Sequence, residues 1–267
     1  MMKDITIGQY FPGNSLLHRL DPRMKLMLTI LLLVMVFLPQ NWWALLAVVG
    51  FVLALVLVSR LPVNLLWRSI KPVLMLVVFT ATLNVLYVQD GPELWSWQFI
   101  RITAGGLSNA GFVAVRIICL IVGSSMLTYT TTPTALTDAM ERVLKPLKWV
   151  GLNPHELAMM MTIALRFIPT LMEETDKIMS AQKARGADME SGGMIRRVRA
   201  LVPVLIPLFV SSFRRAYELA MAMECRCYQG GEGRTRMKQL RTAPRDWLTL
   251  TVYLLVTAGL VLMNIFL

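Results

Sequence analysis

Apolar residues in this chain gather into long runs, not into the spaced stripes of a soluble core. Leu26 to Leu38 is almost wholly apolar and closes at Pro39-Gln40-Asn41. A second run follows Trp42 and Trp43 to Val58. A third covers Pro72 to Val88, a fourth Asn109 to Tyr129, and a last one Trp247 to Phe266. A helix needs roughly 20 apolar residues to cross the bilayer core, so each run predicts one crossing. The first is short, which predicts either an earlier helix start or local thinning of the bilayer. Trp42 and Trp43 fall where an interfacial aromatic belt would lie. No small-residue cleavage site follows the first run, so it is expected to be a span and not a signal peptide. The pattern predicts an all-α polytopic membrane protein with about five transmembrane helices.

Between the fourth and fifth runs the pattern changes. Thr132-Pro133-Thr134 followed by Asp138 has the cap, early proline and acidic residue of a helix start. Lys145 and Lys148 suit its C-terminal end. Asn153-Pro154-His155-Glu156 opens a second, long helix that runs to Arg185, with a bend expected at Pro169 and Gly186 as its cap. Gly192-Gly193 separates it from a third helix, about Met194 to Tyr228, with Pro203 and Pro207 inside. Leu201 to Val210 is apolar but lies between Arg196-Arg197-Arg199 and Arg214-Arg215. Ten residues between such flanks are too few for a crossing. Met159 to Ile168 has the same character and contains Arg166. Two short apolar stretches in long helices predict helices that pack on each other beneath the membrane. The expected organisation is a membrane domain with four transmembrane helices over 1–130, a domain of long helices over 131–244 and a last transmembrane helix over 245–267.

Charge orients this arrangement. The chain carries 27 Lys and Arg against 16 Asp and Glu, a net charge of +11, with 56% hydrophobic residues and a mean hydropathy of +0.58. In a membrane protein such an excess belongs first to cytoplasmic loops. No interleaved basic and aromatic run points to nucleic acid. Lys3, Arg19, Arg23 and Lys25 precede the first span; Arg60, Arg68 and Lys71 lie between the second and third. The loop after the third span carries Asp90 and Glu93 against Arg101. The positive-inside rule therefore places the N-terminus and the 131–246 segment in the cytoplasm, and the C-terminus outside.

Within that segment one short pattern occurs twice. Ala181-Gln182-Lys183-Ala184-Arg185-Gly186 ends one long helix. Ala222-Met223-Glu224-Cys225-Arg226-Cys227-Tyr228 ends the next, before Gly230-Gly231. A basic residue at a helix C-terminus is ordinary capping chemistry, and one such ending would need no further account. Two in one compartment suggest grips for two similar soluble partners. Arginine suits that role because its rigid fork meets a carboxylate at two points.

Other candidates carry less. Arg116 lies inside the fourth span, where a charge must pair, snorkel or line a cavity, so a structural or a coupling role is open. Arg166 is expected to pack where the two long helices cross. Glu173, Glu174 and Asp176 read as a solvated face or as partners of nearby basic residues. Met159-Met160-Met161 could form a pliable surface. Cys119, Cys225 and Cys227 form no paired framework, so reduced thiols and no metal site are expected. No phosphate-loop pattern is present, so ATP hydrolysis by this chain is not expected. The alternative class is an intramembrane enzyme, a CAAX-type protease or a prenyltransferase. For the first, Ile178 stands where an arginine is needed; for the second, the Asp-rich motifs are missing.

Several motifs taken together resemble a known family over nearly the whole length. They are Gly8-Gln9-Tyr10, Leu20-Asp21-Pro22-Arg23-Met24-Lys25, Thr131-Thr132-Pro133, Ala164-Leu165-Arg166-Phe167-Ile168-Pro169, Ala181 to Asp188, and Gly233-Arg234-Thr235-Arg236. The chain is similar to the transmembrane T component of energy-coupling factor transporters. That resemblance implies a non-enzymatic scaffold without cofactors in a prokaryotic plasma membrane. It implies two ATP-binding cassette ATPase subunits docked on coupling helices, through Ala184-Arg185-Gly186 and Cys225-Arg226-Cys227. It also implies a small membrane S component that captures a vitamin or metal ion, with membrane lipid around the assembly. The start of the chain looks like the vitamin-transporting group. The second motif departs from the family pattern, since Cys225 and Cys227 stand where a small residue and a glycine are expected.

Overall fold

The computed structural model describes residues 10–88, 91–97, 100–151, 153–187, 193–231, 240 and 242–266. Lys3, Gly8, Gln9, Asp90, Asp188, Gly192 and Gly233 to Arg236 lie outside them. The described elements are α1 (Pro22–Phe37), α2 (Trp42–Ser59), α3 (Val63–Ile70), α4 (Leu74–Tyr87), β1 (Glu93–Trp97), β2 (Ile100–Thr103), α5 (Ala104–Thr130), α6 (Pro133–Val143), α7 (Pro154–Ala184), α8 (Met194–Glu224) and α9 (Pro244–Phe266). They fall into two compact units. One is Gly8–Ala139 with Gln239–Leu267; the other contains Met140–Lys238.

In the first unit one face of α1 packs against the longer helices α5 and α9, with α2 alongside, while Met27, Ile30, Val34 and Phe37 on its other face are exposed. Asp21 caps it by accepting the Arg23 N–H at 3.0 Å, and Pro22 takes the first helical position. Leu28, Leu32, Met35 and Val36 of α1 are buried against Val48, Val52, Val122 and Leu260. The far end of α1 would leave carbonyls unmet inside the bundle. Asn264 donates to the Leu38 carbonyl at 2.6 Å and Arg116 to the Pro39 carbonyl at 2.6 Å. The outer surface is apolar: Trp43, Leu57, Met75, Phe79, Leu255 and Phe266 are all exposed. Such an extended apolar exterior suits hydrocarbon and not water.

Among the described residues, five helical stretches are long and apolar enough to cross a membrane: Trp42–Ser59, Val63–Tyr87, Ala104–Thr130, Arg197–Glu224 and Pro244–Phe266. The number agrees with the sequence expectation and the membership differs. α1 has 16 residues, about 24 Å at 1.5 Å per residue, short of the roughly 30 Å core. Val63–Tyr87 joins α3 and α4 through one 3-10 turn, Lys71–Val73, around Pro72. α8 qualifies by length and composition, although its arginines divide the apolar surface.

A two-stranded antiparallel hairpin, β1 with β2, joins α4 to α5 where only a loop was expected. Its register pairs Glu93 with Thr103 and Trp97 with Ile100. Trp95, Trp97, Ile100 and Ile102 have the β-branched and aromatic character that favours pairing. Thr103 fixes the hairpin to both helices: its hydroxyl donates to the Val88 carbonyl at 3.0 Å and accepts the Gly106 N–H at 3.1 Å. A Cβ on Gly106 would lie 2.6 Å from the Val88 carbonyl oxygen, so the approach of α5 to α4 requires glycine there.

The second unit is built on α7 and α8, of 31 residues each. Both helices continue through their internal prolines, Pro169, Pro203 and Pro207. Ser211 donates to Glu174 at 2.7 Å, Arg215 pairs with the same carboxylate, and Gln182 donates to the Pro203 carbonyl at 3.4 Å. At the other end Tyr228 meets Met159 at 2.9 Å. These partners pair rising numbers on α7 with falling numbers on α8, so the two helices run antiparallel. Their crossing is held by Glu174, Ser211 and Arg215. Arg166, expected at the crossing, is exposed on α7.

Candidate functional site

The sequence motif that occurs twice becomes one backbone shape that occurs twice. At the end of α7 the Gly186 N–H reaches the Lys183 carbonyl at 3.0 Å, and the Ala187 N–H reaches the Gln182 carbonyl at 3.0 Å. At the end of α8 the Cys227 N–H reaches the Glu224 carbonyl at 2.8 Å, and the Tyr228 N–H reaches the Met223 carbonyl at 3.1 Å. Both are the paired closing bonds of a Schellman ending, which satisfy the last carbonyls of a helix. Gly186 holds the left-handed position in the first, at φ 85°, and Cys227 holds it in the second, at φ 56°. Substitution of the glycine therefore leaves the ending intact, at the cost of a left-handed non-glycine residue. That cost is of order 1–2 kcal/mol.

Cys227→Gly is accordingly expected to preserve the fold and stabilise this helix end by up to about 1 kcal/mol. Gly186→Ala is expected to weaken the other by about as much, since the unfolded-chain entropy of glycine offsets only part of the strain. Amide exchange at Tyr228 and Ala187, the last bonded amides, would report both. Equal protection in the wild type and both variants would contradict the strain argument.

Arg185 and Arg226 occupy the same place in the two endings, one residue before the left-handed position. Both are exposed, as are Ala184 and Cys225 before them and Gly186 and Cys227 after them. The closing hydrogen bonds are made by backbone, so neither guanidinium is needed to end its helix. Because α7 and α8 are antiparallel, the two arginines stand at opposite ends of the pair. About 26 residues of α8 separate them, on the order of 40 Å at 1.5 Å per residue.

The second ending is tethered by residues that sequence reasoning passed over. The Tyr228 hydroxyl lies 2.9 Å from the Met159 sulfur and 3.5 Å from His155 Nε2, and His155 Nδ1 lies 3.1 Å from Glu141. Gly230 turns the chain at φ 92°, and a Cβ on Gly231 would fall 2.2 Å from the His155 ring. The Gly-Gly pair after Tyr228 was the available signal. Beyond a turn, it allows close approach to the start of α7.

Glu174, read as a solvated or basic-partnered acid, is the partner of Arg215. Its carboxyl is held below the usual range, first by the Ser211 hydroxyl and then by the Arg215 guanidinium. Arg116 is paired within the bundle: besides the Pro39 carbonyl, its guanidinium lies 4.8 Å over the Phe112 ring. Cys119 is free and buried; Cys225 and Cys227 are free and exposed.

Residues 13–237 match the CbiQ family model, described as cobalt transport protein. A protein of Ruminiclostridium cellulolyticum named energy-coupling factor transporter transmembrane protein EcfT is 52% identical to this chain, over 99% of it and 98% of the relative. A protein of the same name from Clostridium kluyveri is 52% identical over 93% of this chain and 92% of its own. The one from Bacillus subtilis is 49% identical over 97% and 98%.

Proposed function

Since the chain belongs to the EcfT family, the transmembrane proteins of energy-coupling factor transporters, we propose that it docks two ATPase subunits on Arg185 and Arg226. It is a transporter membrane component and not an enzyme. Membership in that family sets aside the alternative of an intramembrane protease or prenyltransferase. The observation that supports docking most is the repeated helix ending, with one exposed arginine at each end of an antiparallel pair.

Two like partners need two like grips, set apart by the distance between the partners. A guanidinium fork between small neighbours enters a partner's groove and meets a carboxylate at two points. When the ATPases close on ATP, their approach loads both ends of the α7–α8 pair at once. The pair then acts as a lever on the membrane helices and on a bound S component. Selection of a vitamin or other micronutrient belongs to that S component.

We place α7 and α8 at the cytoplasmic face, with the N-terminus inside. Residues 200–213 of α8, between Arg199 and Arg214, extend only about 21 Å, too short for the roughly 30 Å core. Co-purification tests the whole proposal. The chain expressed with the ATPases of its host should bring down two ATPase subunits from detergent extracts. Its own exposed thiols, Cys225 and Cys227, should react in intact cells with membrane-permeant maleimide only. Purification without any ATPase, or labelling by an impermeant maleimide from outside, would overturn it.

A further inference from the structure

The motif Leu20-Asp21-Pro22-Arg23-Met24-Lys25 builds a buried charge cluster that the docking role leaves unused. Lys25 is 7% exposed, and its ammonium donates to the His18 carbonyl at 3.2 Å and the Thr130 carbonyl at 2.8 Å. Asp246, at the start of α9, is 1% exposed. One of its oxygens accepts the Asp21 N–H at 3.0 Å, and the other accepts the Ala243 N–H at 2.7 Å. Arg23 lies 3.7 Å from the Asp21 carboxylate and donates to the Leu240 carbonyl at 2.8 Å. The hydroxyl of Thr131 and the second oxygen of Asp21 are buried beside these groups without a partner.

Such a cluster is not the most stable way to fill this space. Burying two carboxylates, an ammonium and a guanidinium costs desolvation, and apolar residues of similar volume often do as well or better. What the charges supply is a defined position for the segments they bind, and those segments are particular ones. Thr130 ends α5 and Thr131 follows it, just before α6, along which the chain leaves the membrane unit. Leu240 and Ala243 lie where it returns. Both roots of the chain's excursion into the α7–α8 unit are therefore tied to one cluster, the outgoing root through Lys25 and the returning root through Arg23 and Asp246, which Asp21 joins; every bond just described lies within the membrane unit.

We infer that Asp21, Arg23, Lys25 and Asp246 form the anchor through which displacement of the α7–α8 unit reaches the membrane helices. They are positioning residues for energy coupling, acting through the two chain roots. The anchor presupposes the ATPase-docking role proposed above.

Hydrogen exchange on the intact complex with both ATPases, with and without ATP and vanadate, tests it. In the wild-type complex the nucleotide should change exchange in α7 and α8, and also in residues 22–28 and 126–131. In Arg23→Gln and Lys25→Met the first change should persist and the second should fall at least threefold. Lys25→Arg should restore it. A nucleotide response that still reaches 22–28 and 126–131 in Arg23→Gln overturns the anchor. So does a wild-type response that never reaches them. Arg23 lies at the rim of the cluster, with a side chain 21% exposed, so its variant decides the matter if Lys25→Met fails to insert. A wild-type chain that assembles with no ATPase overturns the docking role first, and the anchor with it.

Discussion

Arg185→Ala combined with Arg226→Ala is expected to release both ATPase subunits while the chain still inserts and folds. Truncating one member of a charge pair buried at an interface costs roughly 2–5 kcal/mol. At about 1.4 kcal/mol per tenfold, each site should weaken by some thirtyfold to several thousandfold. Each single variant should release one subunit more readily than the other, because the two grips stand at opposite ends of α7 and α8. Lysine at either position should restore binding only in part, since an ammonium is a point charge without the planar fork. Detergent pull-downs at graded ATPase concentration would measure this. The thermal midpoint of the isolated chain should hardly move, because both guanidinium groups are exposed and the helix endings close through backbone bonds. Retention of both ATPases by the double variant would remove the docking role from these residues.

Asp246→Ala should do the opposite, with a large loss of stability and its effect on assembly only secondary. It strips the acceptors from the Asp21 and Ala243 N–H groups and leaves Lys25 with one carboxylate instead of two nearby. Losing two hydrogen bonds to a buried carboxylate, at roughly 1.5–3 kcal/mol each, costs about 3–5 kcal/mol. For a chain of this size that corresponds to a fall in Tm of roughly 6–20 °C, at about 2–4 °C per kcal/mol. Asp246→Asn keeps one acceptor oxygen and the shape of the side chain, and should lose less. Melting in one detergent, followed by loss of monodisperse protein on heating, would decide. A fall of only a degree or two for Asp246→Ala would mean that the cluster is wetter and weaker than its burial implies.

The spans were legible because hydrocarbon demands an unbroken apolar length, and that demand is written residue by residue. It carried α2, α4, α5 and α9 with small errors at the ends. It also placed α1, whose helix begins at Pro22, ahead of the apolar run, as the shortness of that run predicts. In the structure the far end of α1 is satisfied by Asn264 and Arg116, more than 70 residues away in sequence. The hairpin was missed because its strands are short and flank a span, where polar and aromatic residues also suit a membrane interface. Arg166 was assigned to the helix crossing by its apolar neighbourhood. The crossing instead lies at Glu174 and Arg215, which pair across 41 positions.

By itself the sequence determined the all-helical membrane class, the two arginine-bearing helix ends and the family, because each rests on local pattern. Length of an apolar run, a residue type at a helix terminus and a short motif can be read without knowing what packs against them. Only the tertiary structure decided that the two ends share one geometry despite Cys227 in place of glycine. A left-handed residue is set by the closing hydrogen bonds and not by its own preference. Only the structure set Arg185 and Arg226 at opposite ends of one pair, since helix direction depends on which side chains meet. Burial likewise turned Asp21, Lys25 and Asp246 into one cluster. The Asp21 N–H and the Asp246 carboxylate, 225 residues apart, become partners only when folding brings them together and removes the water between them.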